Sequence, residues 1–186
     1  YQGTALLPYL ETVQVDVTGD QAKPFRLPVQ WVNRPNLDFR GFAGLIASGT
    51  VRSGDAVRVL PSGKTSKVSR IVALEGDRDL AVAGESVTIT LADEIDCSRG
   101  QVIVAAQAPL EVADQFEAAL VWMDEVDMVP GRAYFLKIGT QTVSATVHQP
   151  KYEINVNTQE HLAAKTLDLN AIGIANITTD REIPFA

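Results

Sequence analysis

From Phe25 onward the chain advances in short runs rich in Val, Ile and Thr, each closed by Gly, Pro, Asn or Asp, with almost no 3.6-residue apolar period. β-Branched side chains suit a pleated surface and the four punctuating residues supply turns, so this spacing predicts an antiparallel all-β protein. Strands are expected over Arg26 to Asn33, Gly41 to Val51, Ala56 to Leu60, Ser66 to Ala73, Glu85 to Leu91 and Gln101 to Ala105, with a hairpin about Pro61-Ser62-Gly63-Lys64. An open sheet of that many strands would leave unpaired edges, so a closed barrel or a sandwich is needed, and the barrel is the favoured expectation.

Around Ala106-Gln107-Ala108-Pro109 the strand pattern pauses, and Pro109 has no N–H to give a ladder. A second set follows. Asp114 to Met123 places Phe116, Ala118, Leu120 and Trp122 on one face, and strands are expected at Ala133 to Ile138, Thr142 to Val147, Tyr152 to Val156 and Ala171 to Ile177. The expected division is a tail over 1–23, a first barrel over 24–108 and a second over 109–186. Only Thr4 to Val13 reads as helix, with Leu6, Leu7, Leu10 and Val13 at helical spacing and Pro8 tolerable within its first turn. It reads as the tail of a preceding domain, and the missing initiator Met adds the expectation that the chain is a piece of something longer.

Charge narrows the partners. Sixteen Lys and Arg against 23 Asp and Glu give a net charge of −7, which opposes phosphate-backbone binding and disfavours nucleic acid. Apolar positions are interrupted too often for a membrane span, and the first residues lack the basic start and apolar run of a signal peptide. The single cysteine, Cys97, cannot form an internal disulfide, so a reducing cytoplasmic setting fits best.

Few residues assemble into chemistry. Ser62-Gly63-Lys64-Thr65 ends like a phosphate-binding loop, but position 58, where that motif needs Gly, is Arg, and the flanks read as strands. Asp124, Glu125 and Asp127 read as a solvated loop before the Val129-Pro130-Gly131-Arg132 turn, and neither His148 nor His161 has a Cys or carboxylate at ligand spacing. Cys97 follows Asp96 in an acidic loop, which would raise its thiol pKa and argues against a nucleophile. Asn176-Ile177-Thr178 fits the glycosylation triplet but means nothing in a cytoplasmic chain. The densest polar cluster is Asn33-Arg34-Pro35-Asn36-Leu37-Asp38-Phe39-Arg40-Gly41-Phe42. It reads equally as a protein-contact loop rich in Arg and aromatics or as a loop held by internal Arg to Asp pairing.

Phe25 to Gln30, Gly49-Thr50-Val51-Arg52-Ser53-Gly54-Asp55-Ala56-Val57, Ala83-Gly84-Glu85-Ser86-Val87 and Ser98-Arg99-Gly100-Gln101-Val102 resemble, in order and spacing, the second domain of elongation-factor-Tu-like GTPases. Gly49 and Gly54 are expected to bracket a turn, Ala83-Gly84-Glu85 to enter a strand, and Arg99-Gly100 to turn before the last strand. Val32 to Gly44 with Ile46-Ala47-Ser48-Gly49, and Trp122-Met123-Asp124-Glu125 through Pro130-Gly131-Arg132-Ala133-Tyr134, are similar to the large, GTP-hydrolysing subunit of bacterial sulfate adenylyltransferase.

That resemblance implies two consecutive barrels of the second- and third-domain type. It implies a parent that couples GTP hydrolysis to making adenosine 5'-phosphosulfate from ATP and sulfate, with GTP and Mg2+ held by a domain that has no match here. Within these residues it implies no catalytic, cofactor-binding or metal site. The implied partners are a small adenylyl-transferring subunit and the chain's own GTP-binding domain, and an adenylylsulfate kinase domain follows in some members. Arg34, Asn36, Asp38 and Arg40 are the expected subunit contact, and a final strand is expected beyond Ile183-Pro184-Phe185-Ala186. Two other readings compete: a translation-factor fragment binding tRNA or the ribosome, opposed by the charge and the Arg34 to Phe42 loop, and an independent β-scaffold enzyme, for which no nucleophile and base can be assembled.

Overall fold

A computed structural model of the chain describes residues 3–13 and 20–185, and places sixteen strands and one short helix among them. The first eleven elements are α1 (Leu6–Thr12), β1 (Arg26–Pro28), β2 (Trp31–Asn36), β3 (Phe39–Leu45), β4 (Thr50–Arg52), β5 (Ala56–Leu60), β6 (Lys64–Ala73), β7 (Gly76–Arg78), β8 (Leu80–Val82), β9 (Ser86–Leu91) and β10 (Val102–Ala105). The remaining strands are β11 (Glu111–Val121), β12 (Ala133–Ile138), β13 (Gln141–Val147), β14 (Tyr152–Ile154), β15 (His161–Leu162) and β16 (Ile172–Phe185).

The first set closes into a barrel because one stretch of chain serves two neighbours. β1 pairs with β10, the ladder continues through β5, β6, β9 and β3, and β3 pairs with β2, the direct continuation of β1. The single strand expected over Arg26 to Asn33 is therefore broken at Val29 and Gln30, where the chain changes partner: the Val29 N–H donates to Gln101 O and the Gln30 N–H to Ala43 O, both at 2.8 Å. Alternation then aims Leu27, Val29, Phe42, Val59, Ile89 and Ile103 inward, all at most 2% exposed.

The strand expected over Gly41 to Val51 also ends early. β3 stops at Leu45, and the chain turns through Gly49 at φ +79° into β4, which pairs with β8 as a separate two-stranded sheet. Gly49 and Gly54 thus bracket a short strand rather than a turn. Gly49 is required twice over: its φ lies in the left-handed region, and a Cβ there would stand 2.4 Å from Phe25 N. The hairpin about Pro61 to Lys64 joins β5 to β6 with Gly63 at φ +72°, and Gly84 and Gly100 turn into β9 and β10.

The second set runs β12-β13-β16-β14-β15, with β11 on the other edge of β16. Phe116, Ala118 and Leu120 on the inward face of β11, with Trp122 just past its end, pack on a core of Met128, Ala145, Val147, Leu167, Ala175 and Ile177. Trp122 meets Tyr134 of β12 edge-on, centroids 5.5 Å apart, so side chains close the curled sheet where no ladder does. The strand expected over Ala171 to Ile177 continues to Phe185: β16 bends, and its last three residues pair with Glu111 to Ala113, burying Ile183 completely.

The two sets touch through the β12–β13 turn. Leu60 and Val104 alternate with the inward Val59 and Ile103, so they face out of the first barrel, yet they are 4% and 0% exposed. Across the seam, Thr140 Oγ1 donates to Val29 O at 2.8 Å. Gly139 abuts Pro28, and the Gln141 side chain lies so close to Gly100 that a Cβ there would approach it to 2.8 Å. In contrast, α1 buries none of its residues, and Leu6, Leu7, Tyr9 and Leu10 are all exposed.

Candidate functional site

The Asn33 to Phe42 cluster folds as the end of a hairpin. Asn36 pairs with Phe39, leaving Leu37 and Asp38 as the turn, and the Asn36 Oδ1 accepts the Asp38 N–H at 3.0 Å. An Asx turn of this kind is the ordinary use of Asn before a tight reversal. One extra residue on β2 between Asn33 and Asn36 makes a bulge, which accommodates Pro35 without a missing ladder bond. The result is a stiff tip that projects Leu37, 89% exposed, with Trp31 exposed further along β2.

Two cationic contacts brace the hairpin. On the barrel side, Arg40 lies 5.6 Å over the Phe42 ring and reaches Asp96 at 3.3 Å. On the outer side, Phe39 lies across Gly41, where a Cβ would come within 2.8 Å of the ring, and Arg70 stands 6.0 Å from the Phe39 centroid. Asp77 holds Arg70 by two hydrogen bonds of 2.7 and 2.9 Å, and that pairing pulls the Asp77 carboxyl below the usual carboxylate range. These pairs are solvated, so they orient more than they stabilise.

Arg34, Asp38, Phe39, Arg40, Arg70 and Glu94 line one groove of about 240 Å³ beside the tip. Three of the four residues expected to make a contact surface therefore meet there, while Asn36 is spent on the turn. The alternative of internal Arg to Asp pairing is not realised, because Arg40 pairs with Asp96, 56 residues away, and Asp38 faces no arginine within ion-pair distance among the described residues. The sequence reading missed Leu37 as the tip, although its place between Asn36 and Asp38 marked it. It also missed Arg70 and Asp77, which only strand pairing brings to the hairpin.

The other candidates settle into structure. Cys97 is buried and its thiol is pushed up to about 12; burial is the cause and the Arg40 charge pulls the other way, so the acidic loop is not the reason expected from the sequence. His148 Nε2 shares a 2.9 Å hydrogen bond with Thr178 Oγ1, and His161 stacks on Tyr152 with centroids 3.8 Å apart. Asp124, Glu125 and Asp127 stand exposed in a loop, and Asn176 to Thr178 lies inside β16. Among the described residues no three His, Cys, Asp or Glu side chains come together as a metal site, and no helix is long and apolar enough to cross a membrane.

Comparison with known proteins places both barrels. Residues 43–104 match the family Elongation factor Tu domain 2, and residues 115–186 match the family GTP-eEF1A C-terminal domain-like. The chain is 50% identical over 185 residues to the bifunctional enzyme NodQ of Rhizobium meliloti, covering all of this chain and 29% of that protein. It is 51% identical over 183 residues to sulfate adenylyltransferase subunit 1 of Methylorubrum populi, covering 98% of this chain and 39% of that one. It is also 50% identical over 188 residues to the bifunctional enzyme CysN/CysC of Xylella fastidiosa, covering all of this chain and 30% of that protein. The chain thus spans well under half the length of these relatives. Among solved structures, sup35 complexed with GDP superimposes with a TM-score of 0.81 over the whole chain and 46% of its own, at 18% identity. Elongation factor SelB from Methanococcus maripaludis gives 0.74 over 96% of this chain and 40% of its own, also at 18% identity, a likeness of fold alone.

Proposed function

We propose that this chain, about 50% identical along its whole length to NodQ and to sulfate adenylyltransferase subunit 1, is the two-barrel portion of a GTP-dependent sulfate adenylyltransferase. The observation that carries this reading is about 50% identity without a gap in coverage, through both barrels. In this reading residues 24–108 and 109–186 are the second and third domains, and residues 1–23 are the tail of a GTP-binding domain. The parent protein uses GTP hydrolysis to drive formation of adenosine 5'-phosphosulfate from ATP and sulfate in the cytoplasm.

GTP and Mg2+ do not fit the residues described here. Ser62 to Thr65 is a strand-turn-strand hairpin, with no helix N-terminus aimed at a phosphate and open space around Gly63. In this reading nucleotide chemistry is the work of the rest of the parent protein, and the barrels contribute mechanically. Rigid barrels that share a seam move as a unit when a neighbouring domain changes state, and a contact made by the hairpin converts that motion into a change at a partner's surface. The partner is the small adenylyl-transferring subunit, met by Arg34, Asp38 and Arg40 around the Asn36-supported turn.

Calorimetric titration of the chain with the purified small subunit tests this. Arg34→Ala combined with Arg40→Ala removes two cations from the proposed contact and is expected to weaken binding about tenfold or more, with the melting curve little changed. Equal affinity of the variant and the parent chain would remove the hairpin from the contact.

A further inference from the structure

Among the described residues, five of the seventeen large apolar side chains that stand exposed fall within fifteen consecutive residues of the second barrel: Val121, Met123, Val126, Val129 and Phe135. Met123 is 78% and Phe135 89% exposed. Side chains of this size in solvent are ordinary when scattered, whereas a concentration of them marks a surface that is covered in use.

The segment that carries them is rigid. Met128 is buried to 1% exposure and ties the loop to the Thr166-Leu167 segment, its N–H donating to Leu167 O at 3.0 Å and its carbonyl accepting from Thr166 Oγ1. Trp122 Nε1 donates to Val126 O at 2.8 Å, and Tyr134 Oη accepts the Val129 N–H at 2.9 Å. Trp122 and Tyr134 point into the core, so alternation turns Met123 and Phe135 outward. Their exposure is therefore built into a fixed backbone, and little ordering entropy would be lost on contact.

Between the apolar side chains stand Asp124, Glu125 and Asp127, all exposed and none in an ion pair among the described residues, while the local cation, Arg132, lies 5.9 Å over the Tyr134 ring. Alternating carboxylates and apolar groups complement a surface of Lys and Arg set around an apolar recess.

We propose that the Val121 to Phe135 segment is a second docking surface, separate from the hairpin, for a partner subunit whose facing patch is basic and apolar. This rests on the reading that the chain works against a small adenylyl-transferring subunit, and it adds the second barrel to that contact. Two attachment points, one per barrel, would let the partner sense the barrels as one body.

The test titrates the chain with the purified small subunit at low and moderate salt. Met123→Asp with Phe135→Ser should weaken binding about tenfold or more, and Asp124→Asn, Glu125→Gln and Asp127→Asn together should flatten the salt dependence. All five positions are exposed, and an unchanged melting curve confirms intact folding. Binding by the parent chain with both loop variants indistinguishable from it overturns the second surface and leaves the hairpin reading in place. No binding by the parent chain overturns the hairpin reading and this proposal together.

Discussion

Gly49 and Cys97 are both fixed by what surrounds them rather than by any chemistry they perform. At Gly49 the left-handed φ and the approach of Phe25 backbone leave no room for a side chain, and backbone cannot yield as a flexible side chain could. Gly49→Ala is therefore expected to cost roughly 2–4 kcal/mol in chemical denaturation, well beyond an ordinary exposed Gly to Ala change. Cys97 is held as the neutral thiol by burial, with a pKa raised to about 12. Its folded value lies above its unfolded one, so its contribution to stability is complete below about pH 9 and is lost as pH rises toward 12. Native protein should resist thiol alkylation at pH 8.5 and react once unfolded, whereas rapid labelling of the native chain would contradict the burial.

At the scale of elements, Thr140 is the test of the seam. Its hydroxyl donates to the one carbonyl, Val29 O, at which the β1–β2 strand changes partners, and Val29 O also accepts the Gly100 N–H at 3.1 Å. Thr140→Val keeps the shape and removes the donor, so a loss of about 1 kcal/mol is expected, with faster hydrogen exchange at Gly139 to Gln141. Elements whose signals are local were legible in the sequence: the β5–β6 hairpin from its Gly, and β11 from the alternation of Phe116, Ala118, Leu120 and Trp122. Three-residue strands such as β4, β7 and β8 were not, because three residues show no period. The break at Val29 and Gln30 was hidden because apolar residues keep alternating in sequence through Trp31, although Trp31 is exposed and Val32 is the residue that packs on the core. The partners of the hairpin were equally invisible, since Arg40 and Asp96 lie 56 residues apart and only barrel closure brings them together.

For the whole molecule, the charge of −7 bears on how the two proposed surfaces would meet a partner. A basic partner would associate faster and more tightly at low salt, so the association rate with the small subunit should fall as ionic strength rises from about 50 to 300 mM. The fold itself was read correctly from punctuation and family resemblance together. The candidate site was only half legible, because the hairpin is contiguous in sequence whereas the brace of Arg70 and Asp77 is not.

Whether the hairpin meets the small subunit can be read from hydrogen exchange of the chain, free and bound to the purified subunit. Exchange over Trp31 to Phe42 should slow on complex formation, with the interior of β9 and β10 unchanged. A stable complex that leaves exchange across that hairpin untouched would contradict that contact.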